Sequence, residues 1–161
     1  MTITKVIKVT GALILLLSIT LPMSSCTYYV DPDGNKYPIY STLVEDIPHD
    51  AELEVVKRYA LDDLRPLEPG FWIIALMFTW PLITLGALQW RPMGRLNLAL
   101  RGFELLLLGA SAWFIDFIST VFADRREIGA YVAFIGLGLY AIGTIWSDIL
   151  KYRSWRDERR T

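Results

Sequence analysis

IGAYVAFIGLGLYAIGTIWS, residues 128–147, runs for twenty residues without a charged side chain. About 20 apolar residues, rising 1.5 Å each, cross the roughly 30 Å hydrocarbon core of a bilayer. A transmembrane helix is predicted here and placed at 129–150. Tyr131 and Trp146 lie near its ends, where amphipathic rings settle at the lipid–water boundary. Working back along the chain, PGFWIIALMFTWPLITLGALQW, residues 69–90, is also uncharged and has Trp72 and Trp90 near its ends. It predicts a span over 71–90. Pro81, in its middle, has no N–H to offer the carbonyl four residues earlier, so a neighbouring helix has to satisfy that carbonyl. Residues 102–123 have the length of a third span, although Glu104 and Asp116 interrupt them.

The composition of the 161 residues agrees, with 53% hydrophobic and 20% charged. Soluble domains average roughly 45–50% and 25%. A disordered chain would need low hydrophobicity and high net charge. One Cys and one His exclude a disulfide framework within the chain, a zinc site of several thiolates and a multi-histidine metal centre. A net charge of −1 offers nucleic acid no general attraction. G-x-S-x-G, H-E-x-x-H, Walker A and G-x-G-x-x-G patterns are absent. No catalytic residue, cofactor or metal is predicted.

Loop charge orients the spans. Arg91, Arg95 and Arg101 crowd the loop 91–101 with no acid, and five basic residues crowd the tail 151–161. Both are expected in the cytoplasm by the positive-inside rule. The balanced loop 124–128 then falls outside. Apolar helices point to the bacterial cytoplasmic membrane, because outer-membrane spans are normally β-barrels.

The N-terminus has the layout of an export signal. Lys5 and Lys8 precede an apolar run from Val9 to Leu21, and Pro22-Met23-Ser24-Ser25-Cys26 follows. A basic stretch, an apolar stretch and a small-residue exit make a secretory signal peptide. Met23-Ser24-Ser25-Cys26 resembles the lipobox of bacterial lipoproteins, in which Leu and two small residues precede Cys; Met23 stands at the Leu position. The resemblance covers residues 1–26. It implies that residues 1–25 are removed and that Cys26 becomes the first mature residue, thioether-linked to diacylglycerol. The alternative is an uncleaved signal anchor, which adds a fourth span.

Residues 26–70 form an acidic outer segment, with ten acids against four bases. Tyr28-Tyr29-Val30 and Tyr37-Pro38-Ile39-Tyr40 flank a Pro/Asp/Gly/Asn cluster and predict a β-hairpin. Asp31, Asp33 and Asn35 imitate an EF-hand start. However, Lys36 occupies the glycine position and Thr42 the closing Glu position, so a turn is expected instead. Residues 48–64 predict a helix capped by Asp46. Leu53, Val56, Ala60 and Leu64 would share one face, with Glu54–Arg58 and Arg58–Asp62 pairs on the other. His49 reads as a solvated loop or first-turn residue.

Two seams of small residues suggest helix packing. Gly129, Gly136 and Gly143 recur every seven residues, with Ala133 and Ser147 on the same stripe and Tyr140 interrupting it. Gly102, Gly109, Ala112, Asp116, Ser119 and Ala123 make a similar stripe on the middle span. Small residues let helix backbones approach closely in lipid. Asp116 is thereby expected as a buried carboxylate in a helix interface, and an intramembrane acid is a functional candidate by default. It would hydrogen-bond a neighbouring helix, contact a partner subunit or carry a proton or ion. Asp148, beside Lys151, and Glu104, three residues after Arg101, read as salt-bridged groups at the cytoplasmic edge.

The sequence thus predicts an all-α membrane protein with three transmembrane helices, or four with the N-terminal segment retained, and an outer hairpin-plus-helix segment. Its expected role is that of a non-enzymatic accessory or interaction subunit of a membrane assembly. The expected partners are the bilayer and a membrane protein or a second copy of the chain. The alternative is a proton- or ion-coupled transport component using Asp116.

Overall fold

The computed structural model describes residues 3–38, 50–61, 68–89, 95–121 and 123–158. Asp46, His49, Asp62, Leu64, Trp90, Arg91 and the last three residues, all used in the sequence reading, lie outside the described residues.

Among the described residues, four helices and one small sheet make the fold. Helix α1 covers Ile3–Ser18, α2 Pro69–Gln89, α3 Arg95–Thr120 and α4 Ile128–Glu158. Strands β1 (Pro22–Val30), β2 (Lys36–Pro38), β3 (Glu52–Tyr59) and β4 (Arg125–Arg126) form an antiparallel sheet. Among the described residues, three helical segments are long and apolar enough to cross a membrane: Pro69–Gly86, Leu100–Thr120 and Ile128–Leu150. Helix α4 continues past the last of these, so residues 151–158 extend the same helix.

The sheet corrects the all-α expectation. β1 lies between β2 and β3 and also pairs with β4. The hairpin joins Tyr28, Tyr29 and Val30 to Pro38, Tyr37 and Lys36. Its turn closes through Gly34, whose φ of 84° lies in the left-handed region that glycine tolerates. Residues 52–59 form a strand where a helix was predicted. β1 offers them an eight-rung antiparallel partner, from Val30–Glu52 to Pro22–Tyr59. Val55, Val56 and Tyr59 suit a pleated surface. Arg58 accordingly bonds across the strands to the Tyr28 hydroxyl at 3.1 Å, and Lys36 pairs with Glu54 at 2.7 Å.

The sheet caps one end of the bundle. Helix α1 leads into β1 through a turn in which the Leu21 amide bonds the Ser18 carbonyl at 3.0 Å. The link between α3 and α4 is stitched to the same strand: the Asp124 amide bonds the Ser25 carbonyl and the Glu127 amide the Met23 carbonyl, both at 3.0 Å. Asp124 also accepts the Thr27 amide at 2.5 Å. Helices α1 and α3 therefore end at the sheet, and α4 starts there. The core joins Leu15, Phe78, Ile115, Ala130, Ala133 and Leu137 from all four helices, with Met23 and Ala60 closing it under the sheet.

Helix α1 packs along α4, and glycines permit the approach. A Cβ placed on Gly129 would lie 2.5 Å from the Pro22 carbonyl oxygen; on Gly136, 2.6 Å from the Leu15 nitrogen; on Gly143, 2.7 Å from Lys8 Cγ. The Gly129, Gly136 and Gly143 stripe thus faces α1 and the start of β1. On α3 the packed face departs only in part from the expected seam. Cβ positions on Gly102 and Gly109 meet nothing within 4 Å, but Ser119 is buried and Ala112 packs partly buried against the core, beside Glu104, Ser111 and Ile115 from outside that seam. A carboxylate within the bundle needs cationic partners beside it, and the packed face of α3 carries Glu104.

Candidate functional site: a polar node joining four helices

Pro81 leaves the Met77 carbonyl without its usual i+4 amide donor. Ser111 of α3 supplies one, with Oγ 3.3 Å from that carbonyl oxygen, and Ser111 Oγ in turn accepts the Trp80 indole N–H at 2.8 Å. The neighbouring helix therefore satisfies both buried groups. The Trp80 ring meets Tyr140 edge to face, with centroids 5.3 Å apart, and Tyr140 leads into the main site.

Glu104 is the centre of that site and is only 1% exposed. Its Oε1 accepts hydrogen bonds from Lys8 Nζ at 2.8 Å and the Tyr140 hydroxyl at 2.7 Å, and lies 3.4 Å from Thr144 Oγ1, which donates to the Tyr140 carbonyl at 2.9 Å. Its Oε2 accepts Arg101 at 3.0 Å. Thr84 Oγ1 lies 2.8 Å from the Tyr140 hydroxyl and 3.0 Å from the Pro81 carbonyl oxygen. Lys8 also sits 5.0 Å from the centroid of the Tyr140 ring, within cation–π range. One node thus takes Lys8 from α1, Thr84 from α2, Glu104 from α3, and Tyr140 and Thr144 from α4.

The charges balance. Arg101 reaches Asp148 as well, at 3.5 Å, so two cations face two carboxylates. The set is open at one end: the Asp148 and Arg101 side chains are partly exposed, whereas Lys8 and Glu104 are enclosed. A buried charge is tolerable only when it is paired and its remaining donors and acceptors are satisfied. Glu104 meets both conditions. It was expected at the cytoplasmic edge paired with Arg101; that pair is present, but the carboxylate is inside the bundle.

Asp116 is placed differently from its expectation. Its side chain is 51% exposed and pairs with Arg126 of β4. It lies one turn before the end of α3, close to the sheet, where an arginine from the α3–α4 link can reach it. It is not a buried interface carboxylate. Cys26 lies in the middle of β1, opposite Val56, and is buried.

By sequence, Lys8 reads as the basic end of a signal peptide and Tyr140 as an interruption of a glycine stripe, so neither stands out as a site residue. A usable signal was present: Thr4, Lys8, Gly11, Leu15 and Ser18 recur at spacings of three and four, which keep them on one face. No protein-family model, curated protein or solved structure matches this chain significantly.

Proposed function

We propose that the chain is a non-enzymatic integral protein of the bacterial cytoplasmic membrane and serves as an accessory or interaction subunit. In this reading the bundle is an anchor and the outer sheet does the recognition. The carrying observation is β3. It pairs with β1 along one edge, while its other edge has no strand partner among the described residues, and Leu53 and Val55 are 62% and 58% exposed. An edge with exposed apolar side chains is a template for an extended segment of another protein. The acidity of residues 26–70 favours a basic segment.

The node supports an anchoring role. Its polar contacts run, among the described residues, from Asp148 through Arg101 and Glu104 to Tyr140, with Thr84 Oγ1 within 2.8 Å of the Tyr140 hydroxyl. None of these contacts reaches the sheet among the described residues. The test is blue-native electrophoresis of membranes in mild detergent. Wild type migrates as a complex larger than the monomer, and Leu53→Glu with Val55→Glu returns it to monomer at unchanged Tm. A wild-type monomer, or a complex indifferent to both substitutions, rejects the reading.

A second reading, a proton- or ion-coupled component, is favoured by the burial of Glu104 and passes from Asp116 to that residue. It predicts that Glu104→Gln abolishes a flux while thermal stability is retained. Lost stability with unchanged flux assigns Glu104 to structure.

A further inference from the structure

We infer that α1 remains in the mature protein as a fourth membrane-embedded helix, held to α3 by the Lys8–Glu104 ion pair, with Cys26 unacylated. Three independent contacts carry this. First, Gly11, Gly136 and Gly143 bring the α1 and α4 backbones into direct contact, which side chains larger than glycine would prevent. Second, Lys8 and Glu104, 96 residues apart, bond at 2.8 Å with side chains 6% and 1% exposed. Removing α1 would take away one of the two cations facing Glu104 and open the Gly136–Gly143 stripe. Third, Cys26 is inside a paired strand, opposite Val56 and flanked by β4-paired Ser24 and Ser25. The processed form would turn that site into a chain terminus.

Helix α1 has 16 residues, about 24 Å of rise. That is shorter than the hydrocarbon core, but Lys5 is exposed near its start and can reach the headgroups. Leu13 and Leu17 are exposed on the side away from α4 and suit lipid.

The test is a thermal-stability cycle on full-length protein purified from membranes: wild type, Lys8→Met, Glu104→Gln and the double variant. Glu104→Gln leaves the buried Lys8 without its carboxylate, and Lys8→Met leaves Glu104 with Arg101 alone; both are costly, whereas removing both members of the pair relieves most of that cost. Each single variant should lower the folded fraction remaining at the wild-type Tm by about tenfold or more, and the double variant should recover most of it. If residues 1–25 are cleaved, Lys8→Met changes nothing in the mature protein. That result overturns the inference, and so does a double variant that simply adds the two single losses.

Discussion

The backbones of Gly11 and Gly136 touch. A Cβ on Gly11 would lie 2.7 Å from the Gly136 carbonyl oxygen, and a Cβ on Gly136 2.9 Å from the Gly11 carbonyl oxygen. Neither obstacle is a flexible side-chain tip, so relief requires the helices to separate. In lipid, where apolar tails compete equally for apolar side chains, helix association depends on such close packing.

Gly11→Ala and Gly136→Ala are therefore expected to lower stability by about 1–3 kcal/mol each. Gly109→Ala and Gly138→Ala, whose Cβ positions meet nothing within 4 Å, should not lower it and can raise it by up to about 1 kcal/mol. Thermal unfolding of the four variants in one detergent checks the contrast. Equal effects at both pairs of sites would mean that the α1–α4 approach does not contribute.

Ser111 serves two groups at once, the Met77 carbonyl that Pro81 leaves without a donor and the Trp80 indole N–H. Ser111→Ala should cost about 1–3 kcal/mol by orphaning them. Pro81→Ala in the same background should recover part of the loss, because it returns an amide donor to Met77. Thermal unfolding of the single and double variants reads this directly.

Asp116 and Arg126 form a half-exposed pair near the sheet. Asp116→Asn should change stability by no more than about 1 kcal/mol, as exposed pairs usually do. Membrane level and Tm of that variant should match wild type, in contrast to Glu104→Gln.

The hairpin turn has its own pH response. Asp31 accepts the Asn35 side-chain amide at 2.8 Å, the Asn35 backbone amide at 2.7 Å and the Tyr37 hydroxyl at 3.2 Å. These bonds hold its carboxyl below the usual value of 3.8. A lowered folded value means that the turn's stabilisation is present above pH 3.8 and lost as pH falls through the lowered value. Tyr37 shows the opposite shift, above 10.0, from partial desolvation and its bond to Asp31, so its contribution is retained below pH 10 and lost as pH rises through the raised value. Backbone amide shifts of Gly34 and Asn35 should hold steady from pH 5 to 9 and move below about pH 4. In Asp31→Asn the acid transition should vanish.

The spans were legible because twenty uncharged residues admit few alternatives, and Pro81 announced a carbonyl that needed help. The hairpin was legible from its turn residues. β3 was not: Leu53, Val56 and Ala60 also fit a helical face, and the choice was settled by β1, a strand more than twenty residues away. The node was hidden for a related reason. Lys8 and Glu104 each have an ordinary local reading, one as a basic leader residue and the other as an edge partner of Arg101. Only the meeting of four helices makes them a pair. Asp116 drew attention because it stands deeper in its span by sequence count, yet Arg126 reaches it from the adjoining link.

The central claim is that α1 belongs to the bundle. Intact mass of the membrane-purified protein, wild type beside Cys26→Ala, tests it most directly. The account predicts a chain retaining residues 1–25 in both samples, without an acyl group on Cys26. A wild-type mass lacking those residues and carrying diacylglycerol, with Cys26→Ala lacking the lipid, would contradict it.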